Sequence, residues 1–483
     1  MTAIPPSPIR TGPARPVLLA LAALGSQLML VMDDTIVNVA LPHIQRDLEF
    51  TGGDLAWVVD MYMVVFGGLM LASGRVIDLL GRRRIVLAGL VGFGVSSLFA
   101  GLSQTPGQLV AARGTQGLFA AILGTAALAL LLATFTEPAA RSKVLSGWAA
   151  VTGISGVVGV TLGGIITDTV GWRWAFLINL PMGLLFVGLL LSSGPAVRET
   201  LDRRSLDLPG ALTVTAGLVA LVWAVIRTTH GSWSDPETLV GLATAGVLLV
   251  GFVVQESRTK APLLQLSAFR DRTYSVAMAS IAVASAALFA MFFFGTQYMQ
   301  FVQGWSPLRT GLSWTAFGLT FALSTGVAMK LMPVLGGRNL VLAGALLGAG
   351  GQLLWLRTTV GGSYVAQELP ALVATGVGMG LCMIPLMVAA LGSAPQHSAG
   401  TESGLAGTMQ QVGGALGVAG LSTIAVRHGT DVLARTGDMA GAMTAGFHRS
   451  FLIGAGLLVL LALLALLLPP LREEVDTEAL TAG

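Results

Sequence analysis

Val17–Leu41 reads VLLALAALGSQLMLVMDDTIVNVAL. The run is long and apolar enough to cross a bilayer, since a spanning helix needs roughly 20 predominantly apolar residues. Yet it carries Asp33, Asp34 and Asn38. A carboxylate placed in hydrocarbon is costly unless it is protonated, paired or solvated. An acidic pair inside such a run therefore marks a proton or cation site.

Runs of this kind recur from Val17 to Leu468, with no gap long enough for a soluble domain. Fourteen are read, at 17–41, 55–73, 85–102, 107–134, 144–167, 174–192, 208–226, 238–255, 274–302, 310–329, 339–356, 368–391, 401–426 and 449–468. Of the 483 residues, 54% are hydrophobic and 11% charged, against about 25% charged in soluble domains. The runs are continuous, whereas a transmembrane barrel shows alternating segments of about ten residues. The fold class is an all-α integral membrane protein. Arg10 and Arg15 precede the first run, which is too long for a signal peptide and lacks a small-residue cleavage site, so it is read as a retained span.

An even number of spans puts both termini on one side. If that side is the cytoplasm, the inside segments hold 18 of the 27 lysines and arginines, the outside segments hold 8, and Arg113 lies within a span. The bias follows the positive-inside rule and places both ends in the cytoplasm. Cys382 is the one cysteine, which excludes an intrachain disulfide.

The longest polar connections, Ser193–Asp207 and Glu256–Arg272, bracket spans seven and eight. This predicts two six-helix bundles with an inserted pair: a tail at 1–16, a bundle at 17–192, a linker region with helices 7 and 8 at 193–273, a second bundle at 274–470 and a tail at 471–483. GRVIDLLGRRR (Gly74–Arg84) after span two is echoed after span ten by KLMPVLGGRN (Lys330–Asn339). Such repeats are typical of secondary transporters. Glycines fall at helical spacing inside spans, as at Gly153, Gly156, Gly159, Gly163 and Gly164, where they serve either static packing or a sliding contact between half-bundles.

Depth points to a cluster. Asp33 lies about 12 Å, Asp60 about 8 Å and Arg113 about 9 Å from the outer ends of their spans, at 1.5 Å per residue. If these helices are neighbours, the three groups meet, because buried charges face a bundle interior and pair. Burial and a nearby arginine act oppositely on a carboxyl group, so a cationic substrate competes with a proton for it. The alternative is an Asp–Arg pair that only locks helices together. Asp34 shares a helix face with Asn38. Asp78 is placed to accept from Arg75 or Arg82. Trp57, Tyr62, Trp223, Trp305 and Trp314 sit near span ends as an interfacial belt, while Phe292, Phe293, Phe294, Tyr298 and Trp314 are candidates for cation–π contact with a lipophilic cation. No phosphate-binding loop, HExxH, GxSxG or Cys/His cluster occurs, which argues against ATP-driven transport and against hydrolytic or metal-dependent catalysis.

Several stretches together resemble a known family. MDDTIVNVALP (Met32–Pro42), WVVDMY (Trp57–Tyr62), the loop residues Gly74, Arg75, Asp78, Gly81, Arg82 and Arg83, the fourth-span Arg113, Gln116 and Gly117, GWRWAFLINLP (Gly171–Pro181) and DLPG (Asp207–Gly210) occur in order. They resemble the fourteen-span drug:proton antiporter branch of the major facilitator superfamily, including its quaternary-ammonium efflux pumps. The resemblance implies that Asp33 is the proton-linked acid, that Asp60 is functional, and that Arg113 takes part in proton transfer. It implies gating by the loop residues and by Gly159, Gly163 and Gly164, and a substrate site among Asp34, Asn38, Tyr62, Gln116, Phe292, Tyr298 and Trp314. This chain departs from the branch at Thr125 and Val160, where prolines are usual, so the helix bends they cause are absent. The thirteenth span carries glutamines in TMQQVGGALG (Thr408–Gly417) where some relatives carry acids, which favours monovalent or neutral substrates.

The resulting expectation is a proton-coupled antiporter of the cell membrane. It would export lipophilic, cationic drugs or antiseptics by alternating access, driven by the proton gradient with no cofactor and no metal. Its partners would be the small-molecule substrate, protons and membrane lipid, not nucleic acid, and a monomer would suffice. An exporter of one metabolite or antibiotic is the alternative within transporters; a lipid translocase or a non-transporting sensor is the alternative outside them.

Overall fold

A computed structural model describes residues 15–51, 54–194, 207–228, 231–259, 262–264, 266–392 and 399–469. Among these residues the regular structure is helical throughout. We number the spans α1 (Pro16–Asp47), α2 (Trp57–Leu80), α3 (Arg82–Gly101), α4 (Pro106–Thr134), α5 (Pro138–Thr169), α6 (Trp174–Ser192) and α7 (Leu208–Arg227). They continue with α8 (Pro236–Arg258), α9 (Arg272–Gln297), α10 (Pro307–Leu335), α11 (Gly337–Leu354), α12 (Glu368–Gly392), α13 (Ala399–Thr436) and α14 (Met439–Ala465).

Twelve of these are long and apolar enough, within the described residues, to cross a membrane. With α2 and α5, at 24 and 32 residues, the fourteen spans read from the sequence are complete. Helices are obligatory here because lipid offers no partner for backbone N–H and C=O groups. Local signals start several of them: Thr105 accepts from the Gln108 N–H, Asp207 from Gly210, Asp271 from Tyr274 and Ser306 from Arg309. Each satisfies an orphan donor at a helix N-terminus. Asp207 and Gly210 come from the DLPG stretch, which is thus the cap of α7.

The spans form two six-helix bundles, α1–α6 and α9–α14, with α7 and α8 inserted. The echo between halves is structural. Gly81 links α2 to α3 at φ 90° and ψ 137°, and Gly336 links α10 to α11 at φ 79° and ψ 144°. In each case the glycine N–H donates at 2.9 Å to a carbonyl four residues back, Ile77 or Met332. A side chain is disfavoured at such positive φ, so Gly-Arg recurs where the same turn recurs.

The halves meet along two seams. On one, α5 is packed between α1 and α10. A Cβ at Gly163 would meet Ile36 of α1, and one at Gly164 would meet Pro307 and Leu308 of α10. The Thr161 and Thr315 hydroxyls pair across this seam at 3.2 Å. On the other, α2 lies against α13, where the Thr408 hydroxyl donates to the Gly67 carbonyl at 2.8 Å. The inserted α7 touches both partners of this second seam. It meets α2 where Thr215 packs on Gly68. It meets α13 through Thr228–Thr423 at 3.2 Å and through Arg427, which donates to the Thr228 carbonyl at 2.9 and 2.7 Å and also to that of Gly231.

Candidate functional site

Asp33 and Arg113 form an ion pair inside the first bundle. Arg113 Nη1 lies 2.7 Å from Asp33 Oδ2, and the side chains are 1% and 0% exposed. α1 supplies the acid and α4 the base, brought together because both helices turn their polar residues away from lipid and into the bundle. Moving two charges out of water is repaid only when geometry is good and the remaining hydrogen-bonding capacity is filled. Here it is. Arg113 Nε donates to the Val58 carbonyl of α2 at 2.8 Å, and Nη1 to Gln116 Oε1 at 3.0 Å. Asp33 Oδ1 accepts from Asn179 Nδ2 at 2.6 Å and Gln116 Nε2 at 3.3 Å. The Ser97 hydroxyl accepts from the same two amides, at 3.3 and 2.8 Å. The Tyr62 ring stacks on the guanidinium with a centroid distance of 4.1 Å, an attractive arrangement for a desolvated cation.

Five helices therefore contribute to one hydrogen-bonded network around Asp33: α1, α2, α3, α4 and α6. Ser97 and Asn179 were not among the residues singled out in the sequence. Ser97 carries no sequence signal, being one hydroxyl among many. Asn179 carries one: an amide inside the apolar stretch Phe176–Leu185 is costly unless it is bonded.

Asp60 departs from the expected three-residue cluster. Both of its carboxyl oxygens are buried without a hydrogen-bond partner among the described residues, and the residue is 0% exposed. Arg113 takes the α2 backbone at Val58 instead. The expectation rested on position along each span; what it did not contain is azimuth around α2. Asp60 and Val58 lie two residues apart, about 200° around a helix, so the backbone that binds Arg113 lies near a different face from Asp60.

The residues expected around a substrate separate into three groups. Gln116 and Tyr62 belong to the Asp33–Arg113 network. Trp314 is 2% exposed, donates to the Thr296 hydroxyl at 3.1 Å and stacks on Phe292 with centroids 4.3 Å apart. It is a packing residue between α9 and α10, with Phe292 half-buried in front of it. Tyr298 lies in the π-helical turn Tyr298–Val302. Its hydroxyl donates to the Thr359 carbonyl at 2.9 Å and accepts from Gln303 at 2.9 Å, and Gln303 also donates to Glu368 at 3.0 Å. Asp34 is half-buried. Asn38 Nδ2 donates to the Asp34 backbone carbonyl at 2.7 Å, so the shared face does not produce a side-chain pair.

Of the loop residues, Gly81 makes the positive-φ link between α2 and α3, and Gly74 has open space where a Cβ would stand. Arg83 donates to the Leu190 carbonyl at 2.6 Å and to that of Gly194, tying α3 to the end of α6. Arg82 opens α3. The side chains of Arg75 and Asp78 lie outside the described residues. Gly159 packs on Met32 and Thr35 of α1, one turn before Gly163. No group of three metal-ligating side chains occurs among the described residues.

Fourteen membrane-spanning helices in two structurally echoed halves, with an ion pair buried in one of them, define a polytopic transporter fold. The chain belongs to the major facilitator superfamily: residues 23–418 match that family's model. It is 38% identical over 468 residues to the puromycin resistance protein of Streptomyces alboniger, covering 95% of this chain and 92% of that one. It is 36% identical over 400 residues to the cephamycin export protein of Amycolatopsis lactamdurans, covering 82% of each. The multidrug resistance protein Stp of Mycobacterium tuberculosis is 35% identical over 410 residues, covering 84% of this chain and 75% of that one. In fold it is similar to a bacterial homologue of the human lysosomal transporter Spinster in its inward-facing, unoccupied form, with a TM-score of 0.68 at 14% identity over 94% of this chain and 96% of that one.

Proposed function

We propose that this chain is a proton-coupled antiporter that exports lipophilic cationic compounds, antibiotics among them, from the cytoplasm. The observation that carries the reading is the Asp33–Arg113 pair, sealed from water and held by Gln116, Asn179 and Ser97. A carboxylate so placed is sensitive to any change in its surroundings, since buried charges interact strongly. When the bundle rearranges and Arg113 withdraws, Asp33 loses its main counter-charge and takes up a proton. When Arg113 returns, it displaces that proton. Alternating these two states on opposite sides of the membrane couples proton entry to substrate exit. Asp60, a second buried carboxyl group with no hydrogen-bond partner among the described residues, is suited to neutralise a cationic substrate or to carry another proton. The resistance and export functions named for the relatives support drug efflux as the outcome.

In this reading the protein sits in the cytoplasmic membrane with both termini in the cytoplasm, in keeping with the distribution of its basic residues. It moves its substrate without transforming it. Protons, substrate and lipid are its partners, one copy suffices, and no cofactor or nucleic acid is needed. The glycine seams at Gly159, Gly163 and Gly164 and the loop from Gly74 to Arg83 serve gating. Two relatives, named for puromycin resistance and for cephamycin export, favour a second reading in which one antibiotic is the physiological cargo.

Proteoliposomes loaded with a fluorescent lipophilic cation test the proposal. An imposed pH gradient is expected to drive dye movement and to collapse as dye moves. Dye movement equally fast without a gradient, or no movement in either condition, would overturn it. A panel of antibiotics in a pump-deficient host separates the broad reading from the single-cargo one.

A further inference from the structure

The outer end of α10 carries a groove of about 420 Å³, lined by Ser306, Leu308, Arg309, Leu312, Ser313 and Tyr364. None of these residues belongs to the Asp33–Arg113 network. Tyr364 comes from the segment between α11 and α12, and its hydroxyl donates to the Ser313 carbonyl at 2.9 Å, which fixes one wall. The Trp305 ring meets Tyr364 edge-on, with centroids 5.8 Å apart. The Arg309 guanidinium rests on that same indole, 4.1 Å from the ring centroid.

Arg309 is exposed, and no carboxylate lies within ion-pair distance of it among the described residues. Glu368 lies within its electrostatic reach, but that acid is fully buried and its Oε1 accepts from Gln303 at 3.0 Å. The groove therefore presents a positioned cation without a counter-ion. A guanidinium fork matches two phosphate oxygens at once. Ser306 stands beside it. Its Oγ accepts from the Arg309 backbone N–H at 3.3 Å, which leaves the hydroxyl proton to donate.

The rest of α10 shows what the anion is attached to. Leu312, Leu319, Leu323, Val327 and Leu331 are all exposed. Their spacings of seven and four residues place them on one helix face, so an apolar stripe runs down from the groove. Only 17% of the most apolar part of α10 is buried, the smallest share among the twelve apolar spans, and nothing else in the chain covers the stripe. From Leu312 to Leu323 it extends about 16 Å, close to half of a hydrocarbon core roughly 30 Å thick. That is the depth of one leaflet. A cation at headgroup level above such a stripe fits an anionic phospholipid, whereas a free phosphate would use the cation alone.

We propose that this groove binds an anionic phospholipid of the outer leaflet. Arg309 and Ser306 hold the phosphate, and an acyl chain lies along the stripe that begins at Leu312. The site is separate from the proposed path of proton and drug, and the inference holds whatever the chain exports.

The test uses the full-length protein in detergent, with native mass spectrometry reading the affinity of the first bound lipid. The probes are dioleoyl-phosphatidylglycerol and dioleoyl-phosphatidylcholine, which share their acyl chains and differ in net charge. The wild type is expected to favour phosphatidylglycerol about fivefold, the effect of one basic residue beside an anionic lipid. Arg309→Gln is expected to bring the ratio close to one. Arg357→Gln changes another exposed arginine, one that does not line the groove, and is expected to leave the ratio unchanged. Equal affinities in the wild type overturn the proposal without any variant. A preference that survives Arg309→Gln, or that falls as far in Arg357→Gln, overturns it too, because charge spread over the whole outer surface would then explain the ratio. Glycerophosphate added in large excess is expected to leave the lipid bound. Full displacement by it would overturn the lipid assignment in favour of a site for free phosphate.

Discussion

Asp33 Oδ2 and Arg113 Nη1 lie 2.7 Å apart with essentially no exposure to water. Each neutralises the other in a medium that stabilises neither alone. The pair is thus a structural element and a site of chemistry at once, and single substitutions at it test both roles together.

Asp33→Asn keeps the shape and removes the charge. Arg113 is left buried without its ion-pair partner, a condition that costs about 3–5 kcal/mol when one member of a buried pair is removed. The expected outcome is a clear loss of thermal stability together with loss of gradient-driven efflux. The double variant Asp33→Asn/Arg113→Gln is expected to recover much of the stability and none of the efflux. Intrinsic-fluorescence melting and dye efflux, measured on the same preparations, separate the two effects.

Asp60→Asn is expected to behave differently. No donor holds the Asp60 carboxyl group among the described residues, so an amide loses no bond there. Melting temperature is expected to change by less than the equivalent of about 1 kcal/mol, as for substitutions that break no named contact. If efflux of cationic dyes nevertheless falls, the carboxyl group acts on substrate or proton and not on packing. A large stability loss in this variant would mean that Asp60 has a partner essential to folding.

Asn179→Ala removes the shortest contact to Asp33, the 2.6 Å donation to Oδ1. A hydrogen bond to a charged group is worth about 1.5–3 kcal/mol, and a loss of that size is expected in thermal or denaturant unfolding. Ser97→Ala, two bonds removed from Arg113, is expected to cost less. Equal losses at both positions would show that the network, not the contact to Asp33, sets the energy.

Gly164→Ala places a methyl group against the Pro307 carbonyl and within 2.9 Å of Leu308 Cα. Both are backbone of the opposite half and neither yields locally. The α5–α10 seam is expected to open at its outer end, with efflux reduced at least tenfold, an effect of about 1.4 kcal/mol. Gly156→Ala, on the same helix with nothing within 4 Å of the added carbon, is expected to be silent. Efflux assays on the pair distinguish a seam from a general intolerance of α5 to bulk.

Arg427→Ala removes the guanidinium that holds the Thr228 carbonyl at the end of α7. The inserted pair is then anchored on α13 mainly through Thr228 and Thr423. Faster proteolysis between α7 and α8 is the expected reading, with the two bundles otherwise intact.

Much of this architecture was legible in the chain. Fourteen apolar runs became fourteen spans because a membrane leaves a backbone almost no choice but helix. The Gly-Arg echo became a shared turn because positive φ selects glycine at Gly81 and Gly336. The Asp33–Arg113 meeting was foreseeable because buried charges of opposite sign seek each other. The wrong part of the expected cluster was Asp60, and the omitted part was Ser97 and Asn179. Trp314 and Tyr298, read as candidates for a cation pocket, turned out to be hydrogen-bonded packing groups.

The division has a physical basis. Hydropathy and length are properties of a segment, so one sequence carries the number of spans, their order and the depth of each charge. The direction in which a side chain faces, and what stands opposite, depends on how helices rotate and dock against one another. That rotation placed Asp33 in the bundle core against Arg113, 80 positions further along the chain, and left Asp60 without a hydrogen-bond partner among the described residues. Packing of small residues at the α1–α5–α10 and α2–α13 seams decided it, and no linear pattern records the angle at which two helices settle.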